Sequence, residues 1–386
     1  KSAGAVFGEK MGWERPNWFA TNGEEPRDLY SFEHPNWVAA VRREHLACRR
    51  GVALFDQTSF AKFEVVGKDA ERALDWICAN DIRKPAGKLT YTQLCNARGG
   101  IEADLTVARL AADRFYIVTG TGFATHDFDW IASNIPAGLD ARLLDVTEAR
   151  TVLALMGPSA RDVLGAVTAA DLSNEALPFA SVTELDCGGF TVRALRVTFV
   201  GELGWELHVP VAHAEALYDA LMAAGAEHSI VNAGYRAIET LRLEKGYRVW
   251  PAEVGPDHTP FEAGLGWAAK LKTDIPFLGR EALEQQKADG LKKKLACFVV
   301  DDPDVRLWGR ETIFRNGEPV GWLASAGYGH SVEKWIGYGY VRCAEGVNKA
   351  YLEAGEYELE VATERVAARL HFGALWDPKG ARVRQT

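Results

Sequence analysis

Between residues 61 and 224 one order of elements is written twice, and that repeat limits the folds open to this chain. In the first copy, residues 63–66 read as a strand. Residues 69–79 read as a helix, with Ala70, Ala73, Leu74 and Ile77 at helical spacing. Two apolar runs follow at 89–95 and 101–108, then a strand at 115–119 and a helix at 124–133. In the second copy, 152–156 is the strand and Gly157-Pro158 opens a helix with proline near its first turn. Strands follow at 181–186 and 190–198 around Gly188-Gly189, then a strand at 205–209 and an alanine-rich helix at 213–224. Strand–helix–strands–helix is the order of a split βαβ unit. Two such sheets facing each other leave a crevice between them.

The flanks have a different texture. Residues 1–35 are rich in Gly, Pro and Trp, with Trp13 and Trp18 five apart and no sustained period. They read as an ordered arm laid on a neighbouring surface, the alternative being a flexible tail. Residues 35–50 read as a helix with Trp37, Val41 and His45 on one stripe. Residues 232–247 read as a long helix. Arg236, Glu239 and Arg242 fall on it at i, i+3 and i+6, the spacing of a surface charge ladder. From 295 onward short alternating runs dominate, at 295–300, 311–315, 321–325, 337–341, 357–361 and 365–370. They predict a separate all-β domain, a barrel or jelly roll. Residues 287–294, with Lys292-Lys-Lys294, read as the linker. The fold class is therefore α+β: two split-βαβ lobes and a C-terminal β domain. The expected divisions are 1–50 (arm and helix), 51–150 (first lobe), 151–286 (second lobe with the long helix) and 287–386 (β domain).

Composition excludes several roles. The 386 residues are 47% hydrophobic and 25% charged, an ordinary globular balance. The net charge of −9 argues against a general nucleic-acid binder. No apolar run approaches the roughly 20 residues that span a bilayer, so no membrane partner is expected. The six cysteines are scattered without a C-x-x-C pair, so neither a metal site nor a disulfide framework is suggested, and a reducing compartment fits. The sequence starts at Lys1 with no initiator Met and no signal-peptide pattern, so it is expected to be a piece of something longer.

The stretch from Tyr91 to Val107 carries the chemistry. Its two apolar runs flank Asn96-Ala-Arg-Gly-Gly100, a turn with two glycines free to take positive φ. Alternation puts Ile101, Ala103, Leu105 and Val107 on one face and Glu102, Asp104 and Thr106 on the other. Two acids in mid-strand are disfavoured by propensity. The face is either a solvated sheet surface or one held for a purpose.

Four stretches together resemble the folate-binding aminomethyltransferase family, whose best-known member is the T-protein of the glycine cleavage system. They are Tyr91…Asn96-Ala-Arg-Gly-Gly-Ile-Glu-Ala-Asp104-Leu, Gly201-Glu-Leu-Gly-Trp-Glu206, Gly234-Tyr-Arg236…Leu241-Arg-Leu-Glu244-Lys-Gly, and Phe277-Leu-Gly-Arg-Glu-Ala-Leu283. The family implies three lobes around a central tetrahydrofolate site. Both ends, around Gly12-Trp-Glu-Arg-Pro-Asn-Trp18 and Trp376-Asp-Pro-Lys-Gly, resemble the C-terminal half of dimethylglycine and sarcosine dehydrogenases. In those enzymes an FAD domain precedes this region. No G-x-G-x-x-G fingerprint occurs here, so FAD is expected only on a separate or missing N-terminal half.

The resemblance also implies roles. Asp104 matches the family's catalytic carboxylate, placed to assist a folate nitrogen that attacks a one-carbon unit and loses a proton. Tyr91 matches a position near the same ligand, or is a packed strand aromatic. Glu206 matches the acceptor of two hydrogen bonds from the pterin edge, with Glu202 a nearby decoy. Arg236 matches an arginine near the folate, able to pair with a folate carboxylate or a protein acid. Phe199 stands where the family usually has tyrosine, seven residues before the glutamate, so the resemblance implies a folate-binding position that loses one hydroxyl contact and keeps its ring face. The leading expectation is the tetrahydrofolate-dependent part of an FAD-dependent N-methylglycine dehydrogenase or oxidase. Its small-molecule partners would be folate and a methylated amine, and it would work in the cytoplasm, or in the mitochondrial matrix in a eukaryote. A stand-alone tetrahydrofolate-dependent demethylase is the alternative, and a folate-binding scaffold without chemistry is the third.

Overall fold

In the computed structural model, which describes residues 1–385, the repeat forms two sheets with matching strand order. The first runs Leu89–Cys95, Ile101–Ala111, Arg114–Thr119, Ala61–Val66, Arg142–Asp145. The second runs Val182–Asp186, Thr191–Leu195, Gly204–Pro210, Arg150–Met156, Ala53–Asp56, Val231–Ala233. Ala61–Val66 and Ile101–Ala111 are both antiparallel to Arg114–Thr119 between them, so they run parallel to each other. Arg150–Met156 and Thr191–Leu195 flank Gly204–Pro210 in the same way. This is the split βαβ arrangement, twice.

The helices cover the outer faces. Ala70, Leu74 and Ile77 of Ala70–Ile77 pack with Ala103, Leu105, Val107 and Ile131 behind the first sheet. Val163, Leu164, Leu217 and Leu221 do the same behind the second. The inner faces meet where Leu89, Ala108, Tyr116 and Val118 pack on Val182 and Leu195. The C-terminal domain is a closed barrel of six strands: Lys293–Val300, Lys334–Arg342, Glu318–Gly329, Thr312–Arg315, Tyr357–Val361 and Glu364–His371. Closure leaves no free sheet edge, and it decides between the two expected β architectures. No helix among the described residues is long and apolar enough to cross a membrane.

Several local expectations change. The N-terminal arm is a hairpin, Ala5–Lys10 with Trp13–Phe19, and Trp18 is fully buried against Val41, Ala237 and Leu241. Ala53–Asp56 and Arg142–Asp145 are additional strands. The former lies within the stretch expected as the first lobe yet pairs in the second sheet. The long helix is Tyr235–Lys245, because Val231–Ala233 pairs in parallel with Ala53–Asp56 before it. Gly234 makes the break: its amide donates to Glu44 Oε2 at 2.9 Å, and a Cβ there would collide with the Asn17 backbone. Of the expected surface ladder on this helix, Glu239 is exposed and pairs with Arg242 as the spacing implies, but Arg242 itself is not on the surface. Arg242 is fully buried between Glu239 and Glu253. Residues 287–294 are mostly the end of helix Arg280–Asp289 and the start of Lys293–Val300.

Candidate active site

The hairpin forms as its alternation predicts, and its turn explains the two glycines. Asn96 Oδ1 accepts the amides of Arg98 (2.9 Å) and Gly100 (3.0 Å). Gly99 has φ +80°, and any Cβ on Gly100 would overlap the Pro256 carbonyl. The register sets Gln93 opposite Asp104 and Tyr91 opposite Thr106. Paired residues share a face, so Tyr91, Gln93, Asp104 and Thr106 point together while Leu94, Ala103, Leu105 and Val107 enter the core behind. The acidic face is not a solvated surface. Thr106 pairs with Val118 and Ala108 with Tyr116, so it looks toward the second sheet.

Asp104 is only partly open to solvent. Gln93, wholly buried, donates from Nε2 to Asp104 Oδ1 at 2.9 Å. Burial pushes the Asp104 carboxyl up to about 6. Hydrogen bonds from Tyr91 and Gln93 work against the rise, the Asp127 charge adds to it, and Arg248 opposes it. Burial, then the Asp104 charge, raise the Tyr91 phenol well above its ordinary value, so it stays a protonated donor. Tyr91 stacks on Trp267 at 5.7 Å between ring centroids, and Trp267 is 69% exposed.

Three neighbours complete this side. Trp250 donates from its indole to the Ile101 carbonyl at 3.1 Å and packs edge-on to Phe123 at 4.4 Å. His126 lies 2.9 Å from Asp127 Oδ1 and 3.5 Å from Glu102 Oε2, while Asn96 Nδ2 donates to Glu102 Oε1 at 2.8 Å. Glu102 is thereby tied down, whereas Asp104 keeps an oxygen free of side-chain amides. Arg248 follows the helix end at Gly246 and is anchored by its Nε on the Ala263 carbonyl at 3.1 Å.

Glu206 sits on Gly204–Pro210, opposite Ala154 and Leu195. His208, two residues on and on the same face, reaches Tyr116 of the first sheet at 3.0 Å. The faces carrying Asp104 and Glu206 therefore front each other across the two sheets. Phe199 is stacked on Tyr247 at 6.0 Å, one residue before Arg248. Glu202 is elsewhere: fully buried, it accepts from Arg49 (3.0 Å), Trp376 (2.9 Å) and Arg382 (2.6 Å). Arg236 takes a protein acid, Asp28 of the N-terminal arm, at 2.6 Å, with its guanidinium 3.7 Å over the Trp37 ring. The sequence reading missed Gln93, Arg248, Trp250 and Trp267. Only Gln93 carried a local signal, the period-2 spacing from Tyr91.

Comparison with known proteins agrees with this architecture. Residues 1–273 match the family model of the GCVT N-terminal domain, and residues 293–377 that of the glycine cleavage T-protein C-terminal barrel domain. The chain is 41% identical to mitochondrial sarcosine dehydrogenase of Homo sapiens, over 99% of this chain and 46% of that protein. It is 38% identical to mitochondrial dimethylglycine dehydrogenase of Homo sapiens, over 87% and 39%. It thus spans less than half the length of these relatives. The crystal structure of glycine cleavage system aminomethyltransferase T from Bartonella henselae superposes with a TM-score of 0.82 at 27% identity, covering 98% of this chain and 96% of that one.

Proposed function

Because the chain belongs to the glycine cleavage T-protein (aminomethyltransferase) family, a family of enzymes, we propose that it is the tetrahydrofolate-dependent one-carbon-transfer part of an N-methylglycine-type dehydrogenase or oxidase. The observation that carries this reading is that the sheet faces bearing Asp104 and Glu206 front each other. Asp104 brings a partly open carboxylate from the first sheet, and Glu206 a buried one from the second. A reduced folate offers donors that suit both: an amino-pyrimidine edge for Glu206 and a reacting nitrogen for Asp104.

The residues divide the work by their surroundings. Glu206 takes two N–H donors with its two oxygens and fixes the pterin's orientation. Asp104, lifted toward neutrality by burial, is a stronger base than an ordinary carboxylate and is still ionised above about pH 6. It accepts or steadies the proton shed by the folate nitrogen as that nitrogen bonds to the one-carbon unit. Tyr91 and the exposed Trp267 offer stacked aromatic surface beside Asp104. An FAD half outside this chain would take two electrons from sarcosine or dimethylglycine to give the iminium, and transfer of its methylene carbon to the folate would yield 5,10-methylenetetrahydrofolate and release the demethylated amine, glycine or sarcosine. The mitochondrial names of the two human relatives support a matrix location if the source is eukaryotic. A stand-alone tetrahydrofolate-dependent demethylase is the second reading, supported by the fold shared with the Bartonella aminomethyltransferase. A flavin absorbance band in the purified full-length protein selects the first.

Calorimetric titration with a reduced folate tests the core of both readings. Saturable binding is expected, and unchanged heats up to millimolar ligand would end them. On the same preparation, Glu206→Gln is expected to weaken folate by about 1.5–3 kcal/mol, the worth of a charge-assisted hydrogen bond. Glu202→Gln should change stability and leave the affinity of the folded protein alone, because its oxygens are taken by Arg49, Trp376 and Arg382. Equal losses of affinity at both positions would show that the wrong glutamate had been assigned.

A further inference from the structure

We infer that His208, backed by Tyr116, is a positioning residue for Glu206: a buried imidazole that presents one N–H to the carboxylate and fixes the direction in which its remaining lone pairs face the crevice. The inference rests on the proposed folate role of Glu206. Nothing in the comparisons gives His208 a role.

The geometry is a chain of three side chains from two sheets. Tyr116 Oη lies 3.0 Å from His208 Nδ1, with the rings edge-on at 5.4 Å and 83°. His208 Nε2 lies 3.6 Å from Glu206 Oε2. Both Tyr116 and His208 are fully buried, and His208 Nε2 has no hydrogen-bond partner among the described residues. A buried ring nitrogen without a partner is costly, so a small rotation of Glu206 toward it is favoured.

The tautomer follows from the neighbours. Burial raises the Tyr116 phenol, so it keeps its proton and can donate. The Arg193 guanidinium, 4.6 Å over the Tyr116 ring, makes that O–H a better donor. With Nδ1 accepting, the ring proton sits on Nε2, facing Glu206. The other tautomer would point a bare lone pair at a carboxylate, two acceptors face to face. Burial, joined by the charges of Lys62 and Arg193, lowers the His208 value although Glu206 opposes the fall, so the ring is neutral. A neutral donor orients Glu206 without cancelling its charge, which stays available to the ligand's own N–H groups.

A simple inter-sheet tie would stabilise the fold and leave ligand affinity untouched, and this separates the two roles. Calorimetry on the full chain with 5-formyltetrahydrofolate compares wild type, His208→Phe, His208→Gln and Glu206→Gln, with thermal melts confirming that each is folded. His208→Phe is expected to weaken binding about tenfold. His208→Gln, which keeps an N–H donor, should restore affinity to within about threefold of wild type. In the Glu206→Gln background His208→Phe should add less than about twofold, the signature of one shared interaction. If His208→Phe does not fold, Tyr116→Phe, which removes the donor to Nδ1, takes its place in the cycle. Nitrogen-15 shifts of the ligand-free protein should report the proton on Nε2. Wild type that binds normally, with Glu206→Gln weakened but His208→Phe unaffected or fully additive, overturns this inference alone. Wild type that does not bind at all overturns the folate reading beneath it.

Discussion

Asp104→Asn is expected to lower one-carbon transfer by about 10²–10⁴-fold while folate affinity stays within about twofold of wild type. The substitution keeps the size of the side chain and an oxygen for the Gln93 amide, 2.9 Å away. It removes the basic oxygen. The wild-type profile of kcat/KM should fall on acidification with an apparent pKa near 6, because burial holds the free carboxyl at about 6. The sign is fixed by the chemistry: the ionised form is the base, so activity is present above that value and lost below it. In Asp104→Asn the remaining rate should lose that limb. Transfer is measured as 5,10-methylenetetrahydrofolate formed from formaldehyde equilibrated with an amine, or with the flavin half attached. A variant that binds and turns over as wild type does would remove Asp104 from the mechanism. It would also leave the non-catalytic scaffold as the better reading.

The hairpin that carries Asp104 was legible because its physics is local. Leu89–Cys95 and the start of the second strand at Ile101 fall where the alternation puts them, and the Asn96–Gly100 turn needs its glycines for conformation and clearance. The helices behind the sheets were legible for the same reason, through apolar spacing at 3.6 residues. What the alternation could not say was which side of the sheet meets water. Alternation left the face of Glu102 and Asp104 as either solvated or held for a purpose, and the second sheet, some hundred positions later, is what covers it.

The remainder of the site was hidden by distance in the chain. Arg248, Trp250 and Trp267 lie in the irregular run between Lys245 and Arg280, where no period exists to read. Their partners are the Ala263 carbonyl, the Ile101 carbonyl and the Tyr91 ring, and only tertiary folding creates those pairings. Asn232 and Ala233 of the three-residue strand Val231–Ala233 fall inside the stretch read as helix, because alanine and the charged turns that follow favour one although Gly234 does not. The parallel pairing with Ala53–Asp56 outweighs that propensity. Arg236 and Arg242 show the same limit. Their spacing is that of a surface ladder and its Glu239–Arg242 rung forms, yet Arg236 pairs with Asp28 of the N-terminal arm and Arg242 is buried against Glu253.

Arg49→Met is expected to cost about 3–5 kcal/mol of stability at pH 7, because it strands two buried carboxylates at once. Arg49 is 2% exposed and donates to Glu202 Oε1 at 3.0 Å, Glu244 Oε2 at 3.0 Å, the Val200 carbonyl at 2.6 Å and the Leu241 carbonyl at 3.0 Å. Glu202 also binds the tail through Trp376 and Arg382, and Glu244 accepts the Ser331 amide of the barrel at 2.6 Å. One guanidinium thus joins helix Val38–Arg50, the second sheet, helix Tyr235–Lys245, the barrel and the C-terminal tail. Arg49→Lys should recover only part of the loss, since an ammonium cannot form the fork that serves both acids. The pH dependence checks the cause. Burial works to raise Glu244, but His45, Arg49 and the Ser331 amide outweigh it and hold the carboxyl at about 2. In wild type its contribution is complete above the unfolded value of about 4.3 and fades as the pH falls toward 2. In Arg49→Met the stranded acids should take up protons at higher pH, which relieves the uncompensated charge. The deficit measured by urea unfolding should therefore shrink between pH 7 and pH 4. A deficit under about 1 kcal/mol at pH 7, or one that grows on acidification, would mean that the carboxylates are held by their other donors and that Arg49 is not the joint.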